Sequence, residues 1–274
     1  MKRQLCRGAL ALSLVAGVRA QPPAPTYIPQ TKFSSGQDVQ PVFEGWLRNP
    51  DGTFTMVFGY FNRNWEEELA IPAGPDNKLE PGDPDRGQPT YFLPRRQQFI
   101  FRVQVPADWG QKELVWTITA HGKSEKAFAQ LLPVEEISER MIITRGGLNP
   151  GEDDPNRPPS ITIAPLGSAT AAAPLTLTAL VTDDGLPKPR PAPKPRPGAQ
   201  SNTVLNRPRG LNVSWLEYKG PAKVAFDPTG PILVADGKAV TTAHFAEPGT
   251  YALRAIANDG ALSTITDVTI TVGR

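Results

Sequence analysis

Apolar residues recur along this chain at every second position, in short runs punctuated by glycine, proline and asparagine, and no stretch sustains a helical period. Side chains of an extended strand alternate between its two faces, so each such run is a strand with one face to bury. Phe54, Met56, Phe58 and Tyr60 share one face. Phe99, Phe101, Val103 and Val105 share a second, and Leu114, Trp116 and Ile118 a third. Val42 to Leu47 and Phe54 to Phe61 flank Asn49-Pro50-Asp51-Gly52, a turn-forming cluster that predicts a hairpin. Residues 62–96 read mostly as loop, with one short strand at Leu69 to Ile71. A strand at Ala127 to Leu132 and a helical turn near Glu135 to Arg140 close this half.

Beyond Pro159 the pattern resumes. Ile161 with Ile163, Leu175 to Thr182, Leu211 to Tyr218, Lys223 to Phe226, Val240 to Phe245, Thr250 to Asn258 and Thr264 to Val272 read as seven short strands. That number, with turn signals between the strands, suits a β-sandwich better than a barrel or an α/β fold. Residues 146–159 combine Gly-Gly, Asn-Pro-Gly, Glu-Asp-Asp and Pro-Pro, a charged linker with too little apolar surface to join either core. The expected fold is therefore all-β: two β-sandwich domains in tandem, at 41–145 and 160–274.

The first residues carry a different signal. Lys2, Arg3 and Arg7 precede an apolar stretch from Ala9 to Val18 and the small-residue site Val18-Arg19-Ala20, so residues 1–20 read as a cleaved secretory signal peptide. A polar, proline-rich flexible arm over 21–40 follows it. No later segment approaches the length of a membrane span. The single cysteine, Cys6, lies inside the signal, so the mature chain is expected to hold its cores by packing and not by disulfides.

Within the second half, Tyr251, Leu253, Ala255 and Ala257 fall on one face of a strand, and Thr250, Arg254 and Asn258 on the other. Glu247, Gly249 and Tyr251 have the spacing of a tyrosine corner, in which the phenol bonds back to nearby backbone and pins a loop between two sheets. Leu253 stands two residues on, where antibody domains carry a cysteine, and Trp215 is the expected core partner. Trp215, Tyr251 and Leu253 are thus the structural core residues of this half. Through Val181-Thr182-Asp183-Asp184-Gly185-Leu186-Pro187, Val213-Ser214-Trp215, Gly220-Pro221-Ala222-Lys223-Val224-Ala225-Phe226, Pro248 to Arg254 and Asn258-Asp259-Gly260, residues 159–272 resemble bacterial extracytoplasmic Ig-like domains of the PKD and cadherin-like kind. The resemblance implies an Ig-like sandwich, and it implies no single function, because such domains act as spacers, adhesion units and binders. Phe58 to Asn64 and Ile71 to Asn77 look like parts of a companion module of bacterial surface proteins.

Composition narrows the chemistry. The chain has 29 basic and 27 acidic residues; losing Lys2, Arg3, Arg7 and Arg19 with the signal leaves 25 against 27, which suggests neither nucleic acid nor an anionic membrane as partner. With His121 and His244 as its only histidines, one in each half, a His-centred triad or a multi-His zinc site is disfavoured. His121-Gly122-Lys123-Ser124 contains Gly-Lys-Ser, but Thr117 stands where a phosphate loop needs glycine. Glu66-Glu67-Glu68 are candidate paired carboxylates, against the simpler reading of a solvated charge run.

Asp183, Asp184 and Asp259 end strands at what is expected to be one pole of the sandwich, and their oxygens suit calcium; Asp-Gly turn chemistry is the competing explanation. The basic, proline-rich loop at 186–210 presents Lys188, Arg190, Lys194, Arg196, Arg207 and Arg209 to an acidic wall polymer, lipopolysaccharide phosphate or the acidic first half, or is simply a solvated insertion. Trp65, Trp109 and Tyr91, placed in loops, are candidates for a sugar-stacking platform.

Together these features point to a non-catalytic, exported envelope protein, periplasmic or extracellular, that acts as a binding, adhesion or spacer module. Its expected partner is an envelope protein or glycan, and no cofactor is expected unless calcium binds. The alternatives are a glycan-acting hydrolase or its accessory subunit using carboxylates at 66–85, and a calcium-stabilised adhesion module.

Overall fold

The computed structural model describes residues 32–145, 153–188 and 210–274, and nearly all regular structure within them is strand. In the first half β1 (Val39–Arg48) and β2 (Phe54–Asn62) form the hairpin. At its turn Gly52 has φ of +83°, a conformation open to glycine at little cost, and Asn49 N donates to Thr53 O. Next come β3 (Leu69–Ala70), β4 (Asn77–Glu80), β5 (Tyr91–Phe92), β6 (Arg95–Val105), β7 (Leu114–Ala120) and β8 (Lys123–Ala129). Sheet β1-β2-β6 faces sheet β4-β7-β8, with the small β3-β5 ladder beside them. Between the sheets Phe58 stacks on Phe101 at 5.1 Å and Trp116 meets Phe101 edge-on at 4.8 Å, a geometry that favours aromatic rings.

The stretch 62–96 is more ordered than a loop reading implies. Buried amides hold it where apolar periodicity is absent. Asn77 donates to the carbonyls of Ile71 and Pro89 and accepts from Trp116 Nε1, while Asn62 donates to those of Glu67 and Phe92. Gln88 donates to the carbonyls of Asn77 and Pro84. Most of these amide bonds go to main-chain carbonyls of neighbouring turns, so turns far apart in sequence are tied to one core.

One face assignment changes. The β2–β6 register shifts between Phe58 and Tyr60, and Phe99 takes φ of +52°. Phe101, Val103 and Val105 stay in the main core, whereas Phe99 joins a small cluster with Leu47, Val57 and Ile142 of α1 (Glu139–Ile143). A bulge breaks the period of two, so alternation read across it sends the residue to the wrong side. Of the stretch 21–40 read as an arm, the structure describes the residues from Lys32 on. Its described part is fastened, with Trp65 N donating to Phe33 O, Glu66 N to Ser34 O and Gly36 N to Glu67 Oε2, and β1 already begins at Val39.

The second half contains β9 (Ser160–Ile163), β10 (Ala169–Thr170), β11 (Leu175–Thr182), β12 (Asn212–Lys219), β13 (Val224–Asp227), β14 (Ile232–Leu233), β15 (Lys238–Phe245), β16 (Gly249–Asn258) and β17 (Ser263–Gly273). They build two sheets, β13-β15-β11-β9 and β10-β17-β16-β12-β14, antiparallel except where β10 runs parallel to β17. This is an Ig-like sandwich. Trp215, Tyr251 and Leu253 lie in its core, and Tyr251 Oη donates to Glu247 O at 2.7 Å, closing the tyrosine corner. Gly220 allows this: a Cβ there would stand 2.5 Å from the Tyr251 ring and 2.2 Å from Glu217 Oε1. No helix among the described residues is long and apolar enough to cross a membrane.

Candidate functional site

Both sandwiches belong to one compact unit, Lys32–Arg274, and the outer face of β12 and β16 is where they meet. Tyr218 lies in the core cluster of the first half, with Leu216 and Ala252 packed against that same cluster. Arg254, only 6% exposed, donates from Nε and Nη2 to Asp267 at 2.7 and 2.8 Å, and Nη1 bonds the Ile100 carbonyl of the first half. Its guanidinium sits 3.9 Å from the centre of the Tyr218 ring. Around this centre, Thr90 N donates to Tyr218 O, Tyr218 Oη bonds the Gly87 carbonyl, and Lys219 and Lys223 pair with Asp85 and Glu68. Arginine suits such a place because its fork engages a carboxylate through two bonds and still has donors left.

Glu217 lies beside the junction. It is 2% exposed, accepts Val224 N through Oε2, and leaves Oε1 buried without a partner. Burial first, and the charge of Glu68 besides, push its carboxyl up from 4.5 to about 8.

The junction was not legible as a site, although a signal for it exists. Leu216 and Tyr218 alternate with Val213 and Trp215, and Ala252 and Ile256 with Tyr251, Leu253 and Ala255, so adjacent strands carry apolar residues on both faces. A sheet apolar on both sides is covered on both sides.

At the opposite end of β11 and β16 stand the acidic turns. Asp183 Oδ2 accepts Gly185 N, and Asp259 Oδ1 accepts the N–H groups of Ala261 and Leu262. Asp183 Oδ1 and Asp259 Oδ2 are buried without a partner. Burial, joined by the charges of Asp259 and Asp184, raises the Asp183 carboxyl above the usual range. Asp184 is engaged differently: one oxygen accepts Leu186 N and the other Arg157 N. Residue 156, read as linker, is buried: Asn156 is 2% exposed, with both amide atoms unpartnered. Among the described residues no three His, Cys, Asp or Glu side chains are grouped to hold a metal.

The remaining candidates are distributed as follows. Glu67 Oε2 accepts Gly36 N and pairs with His121 Nε2 at 3.1 Å; Glu68 accepts Tyr91 Oη and Lys223 Nζ. Those two carboxylates are tethers, not a facing pair of free acids. A surface groove of about 420 Å³, lined by Leu69–Asp76 and Thr119–His121, runs beside them. His244 is exposed on β15. Trp109 and Tyr91 are buried, which removes the three-aromatic platform; Trp65 is exposed, with Lys32 Nζ and the Arg95 guanidinium each 4.3 Å from its ring. Lys188 is exposed, and Arg190, Lys194, Arg196, Arg207 and Arg209 lie outside the described residues.

No protein-family model matches the chain, and no curated protein matches it. Among solved structures it is similar to a conjugative transposon lipoprotein from Bacteroides eggerthii, at 8% identity and a TM-score of 0.29, over 41% of this chain and 96% of that one. It is similar to fibronectin(III)-like modules of Clostridium thermocellum CbhA, at 12% identity and 0.25, over 80% and 85%. The D00-D0 domain of intimin aligns at 13% identity and 0.27, over 85% and 100%. The sandwich assignment itself stands on the strand pairings above.

Proposed function

We propose that this chain is a non-catalytic module of an exported envelope protein, which binds or spaces other molecules and whose two sandwiches act as one stiff element. The observation that carries the reading is the buried Arg254–Tyr218 junction. A hinge motion there would strip the guanidinium of Ile100 O and expose the apolar surface around Tyr218, and a buried charge deprived of its partners is strongly unfavourable. Inter-domain contacts of ordinary size and polarity permit motion by default, so a buried, fully engaged arginine at this position is a restraint. Engagement of Glu67 and Glu68 as tethers supports a structural over a hydrolytic role for that loop. Export rests on the signal-peptide pattern of residues 1–20.

Spin labels at Lys126→Cys and Thr269→Cys, exposed positions on β8 and β17, test the stiffness. The expected result is one narrow inter-label distance distribution that broadens when Tyr218→Ala and Arg254→Ala are added. A distribution equally broad before and after those changes removes the reading. Cross-linking of the mature chain within intact envelopes then separates a protein partner from a glycan.

A further inference from the structure

We propose that the pole where the chain enters the second sandwich binds a hard divalent cation, calcium by its ligand chemistry, through the free oxygens of Asp183, Asp259 and Asn156. Asp183 Oδ1, Asp259 Oδ2 and both amide atoms of Asn156 are buried and lack hydrogen-bond partners. Buried polar atoms are nearly always satisfied by protein, water or an ion, and a carboxylate oxygen left bare is among the costliest exceptions. Here the atoms come from three separate segments brought to one end of the sandwich. Pairing of Ser160 with Thr182 runs the chain before β9 alongside the chain after β11, and Arg157 N donates to Asp184 Oδ2 at 2.9 Å, which sets Asn156 at these turns. The turn after β16 lies near enough for the charge of Asp259 to be felt at Asp183, and Asp259 Oδ2 is buried there without a partner.

The donor set decides the class of ion. Two carboxylate oxygens and an amide oxygen, with no histidine or cysteine, fit calcium, which takes several oxygens in flexible geometry and completes its shell with carbonyls and water. Asp184 drops out of the ligand set, since both its oxygens hold main-chain N–H groups; it positions the incoming segment. The ion's structural consequence reaches across the linker. Asn156 N donates to Asp154 Oδ1, and Arg140 of α1 lies 3.4 Å from Asp154, so a cation on Asn156 braces the segment joining the two sandwiches.

The test is calorimetric titration of calcium into the chelator-treated mature chain, with melting temperature read in parallel. The expected result is one ion per chain, a dissociation constant on the order of 0.1–1 mM as in extracellular calcium modules, and a higher melting temperature in calcium than in chelator. Asp183→Asn and Asn156→Ala each weaken binding by roughly tenfold or more, Asn156→Asp preserves it, and Asp184→Asn leaves the affinity within about threefold. Asp259→Asn is the less direct variant, because Asp259 also holds two main-chain N–H groups, and Asn156→Ala reads the site without that burden. No heat and no melting shift at millimolar calcium means that water fills the pole and overturns the proposal. So does binding that survives Asn156→Ala but not Asp184→Asn. Failure here leaves the stiff-junction reading intact, because inter-label distances report the junction and calcium titration reports the pole.

Discussion

The inner and outer faces of the β12–β16 pair are made by the same two strands, yet they are held in different ways. Inside, Val213, Trp215, Tyr251, Leu253, Ala255 and Ala257 meet residues of the facing sheet in one apolar core, with the Tyr251 phenol as its main polar handle. Outside, Leu216, Tyr218 and Ala252 meet the first sandwich, and the central residue is a charged arginine that bonds Asp267 on one side and Ile100 O on the other. An apolar core tolerates small shifts and holds by area. A buried guanidinium holds by direction, because each donor must find its acceptor. The inner face closes a sandwich, and the outer face is where the two sandwiches touch.

That contrast can be broken from either side. Trp215→Ala opens a cavity in the inner core and is expected to cost about 3–5 kcal/mol in urea unfolding. Glu217→Gln, where the faces converge, is expected to stabilise the chain by up to several kcal/mol near pH 8 and hardly at all near pH 5. The sign follows from its carboxyl, raised to about 8 in the fold from an ordinary 4.5. Between those values the unfolded chain has released a proton that the folded chain still holds, so wild-type stability falls as pH rises across the window and levels off above it. Melting temperatures of wild type and variant that stay parallel from pH 5 to pH 8 refute this.

Arg254→Ala is expected to cost about 2–3 kcal/mol, less than the usual loss from breaking a buried pair, because Asp267 is left 41% exposed. Scanning calorimetry is expected to show one transition for wild type and two for this variant; a single unshifted transition in both makes the outer face a passive contact. Tyr251→Phe, which removes the corner hydrogen bond, is expected to cost about 1–3 kcal/mol. Tyr218→Phe, which loses only the bond to the Gly87 carbonyl, is expected to cost about 1 kcal/mol, measurable as a small drop in urea midpoint.

Strands were legible where alternation is unbroken. The hairpin at Asn49–Gly52, the seven longer strands of the second half and the tyrosine corner all follow from residues near one another in sequence. Phe99 was misplaced because a positive φ at a bulge resets the period, and β4 was missed because Asn77 and Gln88 order that segment through buried amides that leave no hydrophobic period. Among the site candidates, the acidic turns were readable as turns. The engagement of Asp184 by Arg157 N and the burial of Asn156 were not, since both depend on how the linker lies against the chain after β11.

By itself, the amino-acid order determined that this chain is all-β, which of its longer apolar runs become strands and which side of most of them faces a core, because side-chain alternation is a local property wherever no bulge interrupts it. Only the tertiary structure decided what covers the other side of β16, which carboxylates keep a bare oxygen, and where the two sandwiches meet. They depend on partners far apart in sequence, from 27 residues for Arg157 and Asp184 to 154 for Ile100 and Arg254, and no local pattern names them.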